Sequence, residues 1–518
     1  MNILFCSMEE GFRGISVRYL SSYIKSKGHS SKILFFNRDR RIHSSSAGFS
    51  DQEISEFINF IKNYKIDLIG ISIMTENFLE TKDLIIKVKK IIPEIKFILG
   101  GVHATVCPEE CVETGANFVI VGDGEIPLHR LISNENPKNI NGLAFFSDGK
   151  IIINPPSPSD LVELKDLPFP DWGFDNVFFL KKNKIKNLTI KDFRTGATWG
   201  GAYYPLTTSR GCLYRCAYCC NVNRYSIRRN LISKIMDELS YIKKTLPFTC
   251  GLNIQDDSFY LGSDEWIAEF CHELKTRFGW PFIVRLMPRL VNEKRIKILK
   301  EGGVEFVSMG IQGSDRLNKE VYNRFENSGN FLAACQILQK YKIKYIIDVL
   351  LDNPYETDED LKNIAYTLNE TPKPFGVNAF SLTLFPGTEL RKRAKADGYY
   401  EKFSTDPYEG QTLQTYSFLT KLYRHEFNLS RTGKYITPIP WRKLIYAIAP
   451  MAPESTVKRI IEQGVLIPKS IKEIDKLYRR YAIEVKFGNW LKETAPSLFR
   501  IAINIYMKFK QTKTAEQG

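Results

Sequence analysis

Residues 207–220 read TTSRGCLYRCAYCC, and they place Cys212, Cys216 and Cys219 at CxxxCxxC spacing directly after a predicted strand. Three thiolates at this spacing can hold three irons of a [4Fe–4S] cluster and leave the fourth iron open. The alternative is zinc, which usually takes four ligands, often as two CxxC pairs. Cys220 is the only further thiol close by, and its position next to Cys219 is poor for the same tetrahedron. The loop therefore favours a cluster.

Downstream of this loop, predicted strands and helices alternate over residues 201–410. The predicted strands cover residues 252–254, 282–285, 306–310, 345–350 and 379–384. Helical patterns such as those of residues 232–244 and 266–278 separate them. A repeating βα series predicts a full or partial (β/α) barrel, whose functional site lies at the carboxyl ends of the strands.

Upstream, residues 1–135 show the same alternation. Residues 67–73 (DLIGISI) are nearly all apolar, as expected of a parallel strand that is covered on both faces. The other predicted strands cover residues 2–6, 32–36, 96–99 and 118–121. Five strands interleaved with helices predict an α/β, Rossmann-like (flavodoxin-like) domain with its ligand at the carboxyl edge of the sheet.

The remaining segments lack this alternation of strands and helices. Residues 136–200 are rich in proline and predict a short hairpin around Asp148-Gly149, followed by a linker that wraps the body. Residues 411–518 predict a basic, mainly helical C-terminal region.

Composition describes a multidomain globular protein. The chain has 518 residues, of which 43% are hydrophobic and 25% are charged, and this excludes a disordered chain or a disulfide scaffold. The net charge of +15 favours anionic partners. Four of the ten cysteines lie within residues 212–220, which indicates metal or redox chemistry in a reducing compartment. We find no basic leader and no apolar run of 18 residues, and we expect a cytoplasmic protein.

Five short motifs occur in a fixed order, each at a predicted strand end. They are the cysteine loop with Tyr218, Asp256-Asp257-Ser258-Phe259, Gly310-Ile311-Gln312-Gly313-Ser314, Asn353-Pro354-Tyr355-Glu356-Thr357 and Pro386-Gly387-Thr388. Together they resemble the radical SAM superfamily. Asn353 stands where that pattern usually has glycine, and Gln312-Gly313-Ser314 departs from the usual Gln/Glu-Ser-Gly. The resemblance implies SAM contacts from Tyr218, Asp256, Gln312, Ser314 and Pro386.

Glycine-rich turns in the N-terminal domain resemble the B12-binding domain that precedes many of these enzymes. The matching stretches are residues 67–75, residues 100–105 with Pro108-Glu109, and residues 122–125. Glycine permits close approach of the backbone to a large flat ligand. The resemblance implies cobalamin contacts from Gly70, Ser72, Thr75, Gly100, Gly101, His103, Gly122, Gly124 and Glu125. The alternative is a flavodoxin-like domain without a cofactor, in which these glycines only form turns.

The loop that supplies an axial histidine to cobalt in other B12 enzymes should follow the first strand. Here residues 7–14 read SMEEGFRG and contain no histidine. We therefore expect cobalamin without a histidine ligand from this loop. His103 is the other candidate, although a histidine in such a loop is more often a hydrogen-bonding residue.

The resemblance implies a cobalamin-dependent radical SAM methyltransferase that methylates an unactivated carbon of a small molecule. Its cofactors would be a [4Fe–4S] cluster, SAM and cobalamin, with an electron donor such as flavodoxin or ferredoxin. One alternative is a radical cyclase or oxidative ring-forming enzyme with the same cofactors. Another is a cobalamin-binding sensor or carrier with an inert barrel, which the intact cysteine loop disfavours. The sequence assigns no residue to the substrate.

Residues 421–518 supply most of the net positive charge. Within them, residues 497–510 (SLFRIAINIYMKFK) predict an aliphatic helix with a narrow polar stripe of Arg500, Asn504 and Lys508. Such a helix either packs on the body or lies in a membrane interface. Residues 439–452 are a second candidate. Peripheral membrane contact and a lipid-like substrate follow from the second alternative. Nucleic-acid binding is disfavoured, because the basic residues alternate with aliphatic ones.

Overall fold

The computed structural model describes residues 1–36, 48–223, 227–260, 262–400 and 454–463. These residues form two large sheets, one for each α/β unit that the sequence predicts. The α/β fold class is therefore confirmed.

The first sheet has nine strands in the order β7-β6-β5-β4-β3-β1-β2-β8-β9. Its strands are β1 (Asn2–Ser7), β2 (Ser30–Phe35), β3 (Leu68–Ser72), β4 (Lys96–Gly100), β5 (Phe118–Ile120), β6 (Leu143–Ser147), β7 (Lys150–Ile153), β8 (Val177–Lys181) and β9 (Lys184–Asn187). Strands β1 to β5 are parallel in the order 2-1-3-4-5, which is the flavodoxin-like arrangement. The order in which strands are added to the sheet reverses between β1 and β3, so a ligand is expected at the carboxyl ends of these two strands.

Six helices connect the first strands and cover both faces of the sheet. They are α1 (Ile15–Ser26), α2 (Asp51–Asn63), α3 (Phe78–Ile91), α4 (Val102–Val106), α5 (Pro108–Val112) and α6 (Glu125–Ile132). A Ser50–Glu53 capping box fixes the start of α2. Apolar residues of the sheet enter two separate cores, one for each face.

The segment predicted as a hairpin and a linker contributes four strands to this sheet. The hairpin is present: β6 and β7 pair antiparallel, and Asp148 and Gly149 both have positive φ at its turn. Strand β8 is parallel to β2, and Val177–Leu180 are all buried. The linker prediction is therefore wrong for residues 177–187. The pairing is not apparent in the sequence because these strands are short and prolines precede them. Helix α7 (Ile190–Gly196) then leads to the second sheet.

The second sheet has six parallel strands, and each strand lies next to the one that precedes it in the chain. They are β10 (Tyr203–Leu206), β13 (Gly251–Ile254), β14 (Phe282–Leu286), β15 (Val304–Gln312), β16 (Lys344–Leu351) and β17 (Gly376–Ser381). Two short strands between β10 and β13 form a separate two-stranded ribbon. The ribbon consists of β11 (Ser209–Arg210) and β12 (Arg228–Arg229). The intervening helices are α8 (Ile232–Thr245), α9 (Asp264–Arg277), α10 (Glu293–Gly302), α11 (Ser328–Lys340) and α12 (Asp358–Glu370). This arc is the predicted barrel in its partial form.

Two further helices belong to the described chain. Helix α13 (Glu389–Ala396) follows β17, and α14 (Glu454–Gln463) packs on α12. The predicted helical segments at residues 439–452 and 497–510 lie outside the described residues. Among the helices that are described, none has the length and apolar character that a membrane crossing requires. The predicted domain limits near residues 135, 200 and 410 stay predictions.

Gly101 makes the tight turn between β4 and α4 possible. Its φ is +98°, and a Cβ atom there would lie 2.7 Å from the carbonyl oxygen of Ile73. Both the backbone conformation and the close approach exclude a larger residue. The neighbouring Gly100 differs, since a Cβ on it would meet no atom within 4 Å.

We predict that Gly101→Ala lowers the free energy of unfolding by about 2 kcal/mol or more, because it combines strain with a backbone clash. The matched Gly100→Ala variant should unfold at nearly the wild-type temperature. Thermal unfolding followed by circular dichroism measures both, and equal midpoints for the two variants would contradict the role assigned to Gly101.

Candidate active site

A cavity of about 430 Å³ lies between the carboxyl edge of the first sheet and the cysteine loop of the second. This volume falls within the range of about 300–1,000 Å³ that is usual for cofactor and ligand sites. The first sheet contributes Gly70, Ser72, Gly100, Gly101, Gly122, Gly124 and Glu125 to its wall. The opposite wall contains Thr207, Ser209, Arg210, Gly211, Cys220 and Asp257. The cavity therefore touches the motif-bearing loops of both units.

Seven of the nine residues predicted to contact cobalamin line this cavity, whereas Thr75 and His103 do not. The His103 side chain is fully buried, and its Nδ1 lies 3.1 Å from Thr75 Oγ1. Its Nε2 lies 3.6 Å from a carboxylate oxygen of Glu110. Burial, assisted by Arg391, lowers the pKa of His103 to about 4. The structure thus places His103 as a neutral hydrogen-bonding residue behind the cavity wall.

Four charged residues join the two units at the cavity, and we call them the interdomain ion-pair network: Asp123, Glu125, Arg210 and Arg228. Arg210 lies 3.0 Å from Asp123 and 2.9 Å from Glu125, measured from guanidinium nitrogen to carboxylate oxygen. Arg228 also pairs with Asp123. Burial alone would raise the pKa of Asp123, but the two arginines hold it below its ordinary value. The side chain of Glu125 is only 5% exposed, and its carboxylate at the cavity wall is paired with Arg210.

Asp256 fastens the start of the cysteine loop. Its carboxylate accepts hydrogen bonds from the backbone N–H groups of Thr208 and Ser209, at 2.7 and 3.1 Å. It also accepts bonds from both hydroxyl groups. Asp256 is buried, and these four bonds use both of its oxygens. Asp256 therefore supports the loop backbone, and its predicted contact with SAM stays a prediction.

The three cysteines of the loop fit a metal cluster. Cys216 is buried, Cys212 and Cys219 are half-buried, and all three thiols are free. The backbone N–H of Asn221 donates to Cys219 Sγ at 3.4 Å. Burial raises the pKa of Cys212 and Cys219, so bound metal would have to displace their protons. Hydrogen-bond donors beside the sulfurs are one means by which proteins tune such clusters.

Arg324 is a site residue that the sequence did not reveal. It is 4% exposed, and its Nη1 lies 3.7 Å from Cys216 Sγ. Its Nη2 donates to the carbonyl oxygen of Gly310 at 2.9 Å. A buried cation beside a thiolate stabilises the negative charge of a cysteine-bound cluster. Only the fold brings this arginine to the loop, so no motif or spacing marks it.

The other residues predicted to contact SAM lie in different surroundings. Tyr218 packs edge-on against Tyr322, with ring centroids 5.0 Å apart. The side chain of Gln312 lies over Gly310, whose carbonyl holds Arg324. Ser314 is buried and donates to Asp360, which assigns it to the packing of α12 rather than to an open site.

Pro386 begins a turn that touches the first unit. The next residue, Gly387, has φ +75°, and a Cβ on it would lie 2.8 Å from the carbonyl oxygen of Val106 in α4. This turn is therefore a second contact between the two units, in addition to the interdomain ion-pair network.

A row of polar side chains crosses the inner face of the partial barrel. Ser308 and Asn378 both hydrogen-bond the carboxylate of Asp348, at 2.7 and 2.9 Å. Their chain neighbours Val307, Ile347 and Val349 enter the apolar core instead. Because side chains alternate along a strand, the polar row faces the barrel interior. The sequence analysis assigned no role to Asp348 and missed this row.

Comparison with known proteins agrees with this architecture. The family described as B12 binding domain matches residues 8–132, and the Radical SAM superfamily matches residues 206–367. The chain belongs to the cobalamin-binding radical SAM enzyme family. The cofactors of these enzymes are cobalamin, a [4Fe–4S] cluster and SAM. The glycine-lined wall and the three free thiols described above fit cobalamin and the cluster.

Curated relatives of this radical SAM enzyme catalyse more than one reaction. The cytidylyl-2-hydroxyethylphosphonate methyltransferase of Streptomyces wedmorensis is 21% identical over 78% of this chain and 80% of its own length. The anaerobic magnesium-protoporphyrin IX monomethyl ester cyclase of Rubrivivax gelatinosus is 23% identical over 72% of this chain. The aligned region spans 65% of that cyclase, just under two thirds of its length.

Solved structures share the fold. The cobalamin-dependent SAM radical enzyme OxsB superposes with a TM-score of 0.65 at 15% identity, over 98% of this chain and 81% of its own. The radical SAM methyltransferase TsrM of Kitasatospora setae gives 0.61 at 14% identity, over 76% of this chain and 78% of its own. At such low identity, the likeness concerns the arrangement of the units and not the substrate.

We predict that Arg210→Met destabilises the joined units by about 3–5 kcal/mol, because it leaves a buried carboxylate without its partner. A matched control is Lys138→Met, which removes an exposed pair with Asp148 and should leave the unfolding midpoint close to that of the wild type. Thermal unfolding gives the stability, and hydrogen exchange of residues 207–212 localises the effect. Equal behaviour of the two variants would show that the interdomain ion-pair network does not hold the loop.

Proposed function

We propose that this enzyme is a methyltransferase that adds a methyl group to an unactivated carbon of a small molecule. The observation that carries the proposal is the single cavity with the glycine turns of the B12-binding domain on one wall and the cysteine loop on the other. When bound, the three cofactors supply the radical chemistry and the methyl group. A shared cavity lets a substrate carbon lie between the group that activates it and the group that methylates it.

The chain's own residues have distinct parts in this proposal. Cys212, Cys216 and Cys219 hold the cluster, while Arg324 supplies positive charge beside Cys216. Asp256 and the interdomain ion-pair network are positioning residues, which fix the loop relative to the first sheet. The residues that contact the substrate are not assigned, and a protein electron donor such as flavodoxin or ferredoxin belongs to the proposal.

A second candidate is oxidative ring formation with the same cofactors. The cyclase of Rubrivivax gelatinosus favours it, since that relative is as similar in sequence as the methyltransferases are. The two reactions differ in the fate of the methyl group of SAM, which reaches the product only in a methyl transfer.

The role of the cysteine loop is tested by four single variants. We predict that Cys212→Ala, Cys216→Ala and Cys219→Ala lose the visible absorbance of the cluster and reductive SAM cleavage, because each removes one of three ligands. Cys220→Ala should keep both. Iron content, which should be about four per chain in the intact protein, and the yield of cleaved SAM are the measurements. Unchanged cleavage by Cys216→Ala would contradict the ligand assignment.

The reaction itself is tested with SAM that carries a deuterated methyl group. The cofactor-loaded enzyme is mixed anaerobically with a cell extract from a strain that lacks the gene. We predict a methylated product that carries three deuterons in place of the three methyl protons found with unlabelled SAM. Mass spectrometry of the extract is the measurement, and Cys216→Ala protein is the control. A product that gains no deuterium but loses two hydrogens relative to its precursor would instead establish ring formation.

A further inference from the structure

Two large apolar side chains beside the cysteine loop are unusually open to solvent. Leu213 is 71% exposed and Phe325 is 66% exposed, the two highest values for large hydrophobic residues in the described part of the chain. Together with Tyr214, Arg215 and Arg289 they form a surface that we call the loop patch. Large exposed apolar groups with polar neighbours are typical of protein interaction sites.

Three separate segments meet to build the loop patch. The side-chain amide of Asn323 donates to the carbonyl oxygen of Arg215 at 3.1 Å, which ties the loop to the segment that holds Phe325. The backbone N–H of Arg289 donates to Glu326 at 3.1 Å. The Arg289 guanidinium lies 6.0 Å from the centre of the Phe325 ring. These contacts hold together the three segments that carry the patch residues.

The loop patch adjoins two of the cysteines and lies outside the lining of the cavity. Leu213 is next to Cys212 in the chain, and Arg324, the neighbour of Phe325, reaches Cys216 Sγ at 3.7 Å. None of the five patch residues lines the cavity between the two units. A partner seated on the patch would thus come close to the cysteines without entering the cavity.

The charges of the loop patch favour an acidic partner. Arg215 and Arg289 are both exposed. Glu326, the carboxylate beside it, is buried and accepts the Arg289 N–H. The patch therefore combines exposed apolar and positively charged side chains, which suits an interface with a negatively charged protein.

We propose that the loop patch docks an acidic one-electron donor protein. The proposal rests on the proposed function in one respect, namely that a cluster on these cysteines must receive electrons from outside. For a flavin donor, the anionic hydroquinone loses one electron and becomes the neutral semiquinone. The oxidised cluster accepts that electron, and its net charge falls by one. The proximity of the patch to Cys212 and Cys216 gives that electron a short path.

The test compares a protein donor with a chemical reductant. The probe is flavodoxin held in the hydroquinone state, and the reference reductant is dithionite, which needs no docking surface. The patch variant is Leu213→Ser/Phe325→Ser, and the matched control is Phe146→Ser, which alters a residue 63% exposed on β6 in the first sheet. The readouts are flavodoxin affinity by calorimetry in the absence of SAM, and the rate of SAM cleavage with each reductant.

We expect the patch variant to lose at least tenfold in flavodoxin affinity and in flavodoxin-driven cleavage, while dithionite-driven cleavage stays within twofold of wild type. Arg215→Glu/Arg289→Glu should weaken binding similarly and flatten its dependence on salt. The Phe146→Ser protein should match wild type in every readout.

Two results would overturn the proposal. Equal flavodoxin affinity in wild type and both patch variants would place the donor elsewhere. Parallel loss of dithionite-driven cleavage would mean that the patch supports the cysteines or the substrate path rather than a partner. Failure of methyl transfer with normal flavodoxin binding would instead count against the proposed function alone.

Discussion

The ion pairs between Arg210 and the carboxylates of Asp123 and Glu125 set the geometry on which the rest of the site depends. Arg210 stands two residues before Cys212, whereas Asp123 lies in the turn after β5 and Glu125 begins α6. A single side chain thus connects the edge of the first sheet to the loop that carries the thiols. Because these charges are largely removed from water, each needs its partner, and separation of the units would be costly.

Asp256 also holds the cysteine loop in place. Four hydrogen bonds to Thr208 and Ser209 hold the backbone just before Arg210. The turn at Gly387 contacts α4 and adds another point of attachment between the units. An enzyme that handles reactive species must exclude water and hold its reacting groups at fixed positions. We regard these supports as the contribution of the protein to chemistry that its cofactors carry out.

Much of this architecture follows from local sequence patterns. The spacing of Cys212, Cys216 and Cys219 predicts the cluster loop, and buried apolar runs such as residues 67–73 predict parallel strands. Glycines at Gly100, Gly101 and Gly122 mark the edge that the structure places on the cavity. These features are readable because the chemistry and the backbone conformation are specified within a few residues.

The remaining features depend on contacts between distant parts of the chain. Strand β8 was missed because its partner β2 lies far away in sequence and prolines surround it. Arg324 reaches Cys216 only through the fold. The supporting roles of Asp256 and Ser314 were equally hidden, since a motif shows which residues occur and not which atoms they bind. A carboxylate near a cofactor motif therefore suggests ligand contact until its hydrogen bonds are known.

Electron paramagnetic resonance tests most directly whether cobalamin and the cluster share one cavity. The sample is full-length protein loaded with both cofactors and reduced until cob(II)alamin and a paramagnetic cluster coexist. We predict that the cob(II)alamin signal is broadened and relaxes faster than in the Cys212→Ala/Cys216→Ala/Cys219→Ala protein, which has no cluster. A cob(II)alamin signal identical in the two proteins would contradict a shared cavity.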